Sequence, residues 1–268
     1  MVFDNPHSGR CYPLDFKYEC SFDDLRRAED AYLDKLYDWV PAKGFSYVRA
    51  LFPRSYIDVN RSTKKMDNKS GTGLIRSYCS ATVREQIYKS KPTLKDVFNR
   101  ISKYYKPYHD ALSDILSHTQ KQHGGYVYIN CHSMPSDLGG AGQNKYDIIL
   151  GTNNGRRCDP LLLKQLKILF EERGYNVGVH IPHFQGGHLV YKYGAPEENK
   201  HAILVEVNRK LYLNEDDLTL HAGHKKLKSD LQDIYAEFDR YARLYIRARP
   251  IFQLHEKRSA SSRIPRRK

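Results

Sequence analysis

The sequence predicts one α/β domain built on a largely parallel sheet with helices on both faces, and three observations predict it. Short runs rich in β-formers alternate along the chain with longer segments whose apolar residues recur at three- and four-residue spacing. The short runs are apolar, as strands covered on both sides are. At 268 residues the chain can bury a substantial core, and no internal repeat or linker interrupts it before residue 250.

Residues 45–51 (FSYVRAL), 126–131 (YVYINC), 146–150 (YDIIL), 176–181 (NVGVHI) and 201–207 (HAILVEV) read as strands. Residues 23–40, 92–121, 159–173 and 225–247 read as helices. In the first helix Leu25, Leu33, Leu36 and Val40 share a face. The third, DPLLLKQLKILFEERG, is punctuated by Asp159 as N-cap, Pro160 at the first helical position and Gly174 past the end. The domain therefore spans 1–249. Residues 250–268 form a basic tail ending in RSASSRIPRRK, which lacks apolar periodicity and reads as disordered.

The net charge of +13 invites a nucleic-acid reading. Its distribution argues against one, because residues 224–268 hold 13 Lys and Arg against 5 Asp and Glu, which is +8 of the total. The 21 tyrosines are dispersed and not interleaved with basic residues on one face. No stretch approaches the roughly 18 apolar residues of a membrane span. Five cysteines without a CxxC pair favour reduced thiols in a cytoplasmic setting.

In open parallel sheets functional groups gather beyond the carboxyl ends of the strands. His7 follows VFDNP, Asn60 and Arg61 follow SYIDV, His132 follows YVYINC, and Glu206 ends HAILVEV. Alone, His132 reads as a core histidine and His7 as a surface turn residue. Together they are candidate imidazole ligands of a catalytic zinc, which takes three protein ligands and an open position. The third ligand is a carboxylate, Asp30 or its neighbour Glu29. Glu206 is either a structural ion-pair partner of Arg209 or a general base that takes a proton from activated water and returns it to a leaving nitrogen. Arg54, Asn60 and Arg61 offer donors for a substrate carboxylate or a developing oxyanion, with Asp58 orienting an arginine or a histidine. No Walker A, GxGxxG, GxSxG or zinc-finger pattern occurs, and Gly186-Gly187 reads as a loop.

The stretches VFDNPHSGRCYP, RRAEDAYLDKLYD, ALFPRSYIDVNR, YYKPYHDAL, YINCHSMPS and HAILVEVNRKLYL resemble, in order over residues 2–213, the successive motifs of the N-formylglutamate amidohydrolase family. The resemblance implies a zinc carboxypeptidase-like (phosphorylase/hydrolase-like) α/β fold with a mixed, mostly parallel eight-stranded sheet flanked by helices. It implies His7, His132 and Asp30 as zinc ligands, Glu206 as the catalytic carboxylate and Arg54 as the oxyanion-stabilising arginine. Asp58 to Arg61 resembles the element that holds a substrate carboxylate, through Asn60 and Arg61. Gly187 belongs to the loop VHIPHFQGG, which lines the substrate pocket. There His180 and His183 break the family's asparagine-proline-aromatic run, so the resemblance carries the reaction class further than the substrate. The implied activity is zinc-dependent hydrolysis of a small anionic N-acyl amino acid, N-formyl-L-glutamate to L-glutamate and formate. Alternatives are a carboxypeptidase-like or other acyl-amino-acid hydrolase, or, in another class, a basic nucleic-acid-binding protein.

Overall fold

The computed structural model describes residues 1–64, 71–79, 85–137 and 142–261, with side chains to position 248. Strand β1 (Val2–Asn5) opens the chain; helices α1 (Phe22–Arg27) and α2 (Leu33–Leu36) lead to β2 (Ser46–Arg49). Helices α3 (Leu94–Arg100) and α4 (Lys106–His123) precede β3 (Tyr126–Met134) and β4 (Ile148–Gly151). Then come α5 (Pro160–Glu171), β5 (Val177–Val179), α6 (His188–Tyr193) and β6 (Lys200–Asn208). A hairpin of β7 (Leu213–Asn214) and β8 (Thr219–Leu220) leads to α7 (Gly223–Ser261).

The central sheet runs β2-β1-β3-β6-β4-β5, and the β7-β8 hairpin stands apart from it. All pairings in the central sheet are parallel except β4 with β6. The mixed, mostly parallel class is therefore present. Eight strands in one sheet are not, since among the described residues the sheet has six.

Alternation along each strand divides the core. Phe3, Val127, Ile129, Cys131, Ile203 and Val205 pack with α2, α5 and α7 on one side. Val2, Tyr126, Tyr128, Ala202 and Leu204 pack with α4 and α6 on the other.

Three helix expectations change. The apolar stripe of 23–40 is real but serves both cores, Leu25 one and Leu33, Leu36 and Val40 the other. A single helix cannot do that, and the chain breaks between α1 and α2, with Tyr32 at φ 57°. The segment 92–121 is split by a π turn over Ile101–Tyr105. Pro107, at the start of α4, lacks an N–H and crowds the carbonyl four residues before it, which a wider turn relieves. Helix α7 runs to Ser261, so the boundary placed at 250 falls inside a helix, and positions 262–268 lie outside the described residues. Helix α6, one and a half turns long, is too short to show a periodicity.

Helix α5 begins as its sequence dictates: the Asp159 side chain accepts a hydrogen bond from the Leu161 amide. Asp159→Ala should lower the unfolding free energy by about 1 kcal/mol, the usual worth of an N-cap, measured by urea denaturation.

Candidate active site

The alternation that builds the core also builds the site. On the α4–α6 face, β1, β3 and β6 start apolar and end polar: Asp4, Asn130, His132 and Glu206 follow Val2, Tyr128 and Leu204. Register aligns Asp4 with Asn130 and His132 with Glu206. His7 comes from the turn just past β1. Gly9 holds that turn against the next segment, since a Cβ there would lie 2.3 Å from the Phe52 carbonyl oxygen. Far from being a surface turn residue, His7 is 1% exposed.

Asp30 reaches the same point from the break between α1 and α2, where its amide donates to the His7 carbonyl at 3.0 Å. The ligand atoms of His7, Asp30 and His132 all lie within 4.8 Å of one another, and the three side chains are buried. His7 Nε2 meets Asp58 Oδ1 at 2.7 Å. With Asp58 ionised that nitrogen carries the proton, so Nδ1 is bare; it has no hydrogen-bond partner and lies 3.6 Å from Asp30 Oδ2. Asn130 donates to Asp4 Oδ1 at 2.7 Å, which turns its own oxygen to His132 Nε2 at 2.9 Å. His132 Nδ1 then faces the same Asp30 Oδ2 at 2.9 Å. Two bare imidazole nitrogens aimed at one carboxylate oxygen repel it unless a cation stands between them. The donor set and the orphaned Nδ1 both fit a divalent transition-metal ion.

Glu29, the other carboxylate considered for this position, points away. It accepts from the Tyr12 hydroxyl and lies 3.9 Å from Arg26. Nor does Glu206 pair with Arg209 within 4.0 Å among the described residues. Arg209 instead donates to the Glu29 carbonyl (2.7 Å) and Ser133 Oγ (3.2 Å), and lies 3.6 Å from Asp30. It braces the turn that delivers Asp30.

The segment SYIDV is not a strand; Ser55–Asn60 are buried turns. Asp58 orients both an arginine and a histidine, since Arg54 Nη2 donates to Oδ2 at 2.9 Å while His7 occupies Oδ1. Arg54 also brings Nη1 to 3.8 Å from Asp30. Asn60, expected to hold substrate, is 3% exposed and engaged elsewhere. Its Nδ2 faces His132 Nε2 at 3.0 Å and Asn130 Oδ1 at 3.4 Å, and its Oδ1 accepts from the Leu189 amide at 2.9 Å. Arg61 bonds to the carbonyls of Thr72 (2.9 Å) and Asn60 (3.0 Å). Gly187 lies against Asn60, not in open space: a Cβ would sit 2.5 Å from Asn60 Nδ2. In the adjoining loop His180 and His183 adopt φ of 54° and 72°; His180 packs by Thr152 and His183 is exposed.

The electrostatics are those of a site built around charge. Burial pushes Glu206 up to about 7, despite His132 nearby and with Asp30 adding to the rise. The Glu206 side chain nonetheless keeps some exposure, as a group that must meet a substrate requires. Burial opposes ionisation of Asp30, but His132 and His7 beside it hold it well below the usual carboxylate range. Asp58 is likewise held down, against burial, by His7 and Arg54. Burial raises Asp4 to about 6, moderated by Asn130 and Tyr108.

Asp4, Asn130 and Arg76 were not singled out by sequence reasoning. Asp4 and Asn130 carried a signal of the same kind as Glu206, a polar side chain inside an apolar strand.

A family model described as N-formylglutamate amidohydrolase matches residues 1–213. The N-formylglutamate deformylase of Pseudomonas putida is 30% identical over 196 residues, covering 70% of this chain and 72% of the relative. The crystal structure of N-formylglutamate amidohydrolase from Ralstonia eutropha JMP134 superposes with a TM-score of 0.83 at 32% identity, covering 92% of this chain and 93% of that one. A gene product of Agrobacterium tumefaciens has the same fold, with a TM-score of 0.71 at 18% identity over 88% of this chain and 89% of that chain.

Two predictions come from this geometry. His7→Ala or His132→Ala should abolish stoichiometric binding of a divalent metal, measured by metal analysis of the folded variant, because two remaining ligands hold such an ion poorly. Gly187→Ala should push the Asn60 amide off His132 and lower stability by about 1–3 kcal/mol, as overpacking does, read from denaturant melts.

Proposed function

Since this chain belongs to the N-formylglutamate amidohydrolase family, we propose that it hydrolyses N-formyl-L-glutamate to L-glutamate and formate, using a zinc ion held by His7, Asp30 and His132. The observation that carries this reading is the convergence of the two bare Nδ1 atoms on Asp30, with Glu206 beside His132 on the same sheet face. When bound, zinc supplies Lewis-acid polarisation of the formyl carbonyl and makes water a better acid.

The chain's own groups do the rest. Glu206 takes the proton of the attacking water as the new carbon–oxygen bond forms, and returns it to the nitrogen as the carbon–nitrogen bond breaks. A carboxyl near 7 can do both at neutral pH. Asp58 fixes the His7 ring through Nε2, and Asp4 with Asn130 fixes His132. Arg54, between Asp58 and Asp30, provides the positive charge for the oxyanion. Arg61 takes the substrate's α-carboxylate, its guanidinium steadied by the Thr72 and Asn60 carbonyls. Asn60 acts indirectly, through the Asn130 oxygen that its amide shares with His132 Nε2 and through the start of α6. All these residues lie between Asp4 and Arg209, so we assign the reaction to an amidohydrolase domain of residues 1–249. In this reading residues 250–268 take no part.

The direct test is formate release from N-formyl-L-glutamate by purified protein, lost on chelation and restored by zinc; no turnover with zinc bound would refute the reading. Glu206→Gln should reduce kcat by roughly 10²- to 10⁴-fold with metal content unchanged. Because Glu206 must be ionised to accept the proton, kcat/KM should rise with pH through a midpoint no higher than about 7 and then level. The limb should be absent in Glu206→Gln.

A further inference from the structure

Arg76 has no part in the reaction just described, yet it is buried beside it. It is 5% exposed, and its Nε has no hydrogen-bond partner among the described residues. Its Nη1 lies 3.9 Å from Asp58 Oδ2, beyond hydrogen-bonding distance. Asp58 is already occupied: Oδ2 accepts from Arg54, while Oδ1 meets His7 Nε2 and accepts from the Asn60 amide. One carboxylate thus serves as nearest anion to two guanidiniums, with Arg61 adding a third cation nearby. Burial, then repulsion by Arg54, pushes Arg76 down to about 9, and it remains a cation at neutral pH. A buried cation with an unmet donor is costly unless an anion arrives to satisfy it.

We propose that Arg76 binds the side-chain carboxylate of the substrate and so selects N-acyl amino acids with an acidic side chain over neutral ones. This deepens, and rests on, the hydrolase reading above. N-formylglutamate carries two carboxylates, and Arg61 accounts for one. Arg76 shares Asp58 with His7, at 3.9 and 2.7 Å, and Asp30 is among the charges that act on it, which places the guanidinium next to the site. A planar fork is the group suited to a carboxylate there.

The test compares N-formyl-L-glutamate with its neutral isostere N-formyl-L-glutamine in wild type, Arg76→Met and Arg76→Lys, each checked by a melting curve. The wild-type preference for glutamate should fall roughly 10- to 100-fold in Arg76→Met, through KM, as expected for loss of a charge-assisted contact. Arg76→Lys, which keeps the charge without the fork, should retain part of the preference, and it carries the comparison if Arg76→Met does not fold. Equal losses on both substrates would mean that Arg76 merely supports Asp58, and would overturn the proposal. If wild type hydrolyses neither substrate, the hydrolase reading fails and calorimetry with glutarate and its half-amide decides about Arg76. Glutarate binding weakened by the substitution supports the proposal, and unchanged binding overturns it.

Discussion

In the pairing of β3 with β6, His132 stands beside Glu206, and one pair earlier on the same face Asn130 stands beside Leu204. Everything at the centre follows from that register. Because side chains alternate across a strand, the two strands spend their early positions on Tyr126, Tyr128, Ala202 and Leu204, which fill the core under α4 and α6. They spend the late positions of the same face on proton-handling groups. A slip of one residue would turn His132 and Glu206 into the apolar core under α5 and α7, so the hydrophobic core enforces the placement of the polar pair. The rigid backbone of the strands then fixes geometry that a loop could not.

The second constraint is charge. Asp30 and Asp58 are buried carboxylates, each tolerable only because cationic or hydrogen-bonding groups surround it. Asp30 is met by both histidines, Arg54 and Arg209. Asp58 is met by His7 and Arg54, with Arg76 farther off. Arg54 contacts both carboxylates and therefore ties the two shells together. Since Asp30 arrives from a broken helix and Asp58 from a set of turns, the arginine and His7 are what hold those irregular segments to the sheet. Breaking either helix or turn into something more regular would remove the carboxylates from the strand ends.

Much of this was legible in the sequence because strand ends are local. An apolar run followed by a histidine, or closed by a glutamate, is visible without knowing what lies across the sheet, and His7, His132 and Glu206 were singled out that way. The pairing of β4 with β6 in the opposite direction, and the standing of β7 and β8 outside the sheet, depend on contacts between distant segments that no local pattern encodes. The first helix misled for a related reason. Leu25 and Leu33 share a helical spacing, yet they pack on opposite sides of the sheet, so one stripe did not mean one helix, and the two carboxylates Glu29 and Asp30 mark the break. Asn60 misled in a different way, because a motif specifies residue types and not their partners. Its amide is consumed by His132, Asn130 and the Leu189 amide, and Gly187 has no side chain because Asn60 fills the space.

These differences divide the site by rigidity. His132 and Glu206 sit on long buried strands, and His7 sits on a turn clamped by Gly9. Arg54, Arg61 and Arg76 sit between β2 and α3, and the loop with His180 and His183 joins β5 to α6. Change at the exposed His183 disturbs few buried contacts, whereas Arg54 and Arg76 are tied to the buried Asp58. Change is thus costly around Asp30 and Asp58 and cheap in the exposed part of the loop. The exposed part of VHIPHFQGG can change without disturbing the residues around Asp30, and for that reason reaction and specificity have to be argued from different parts of this molecule.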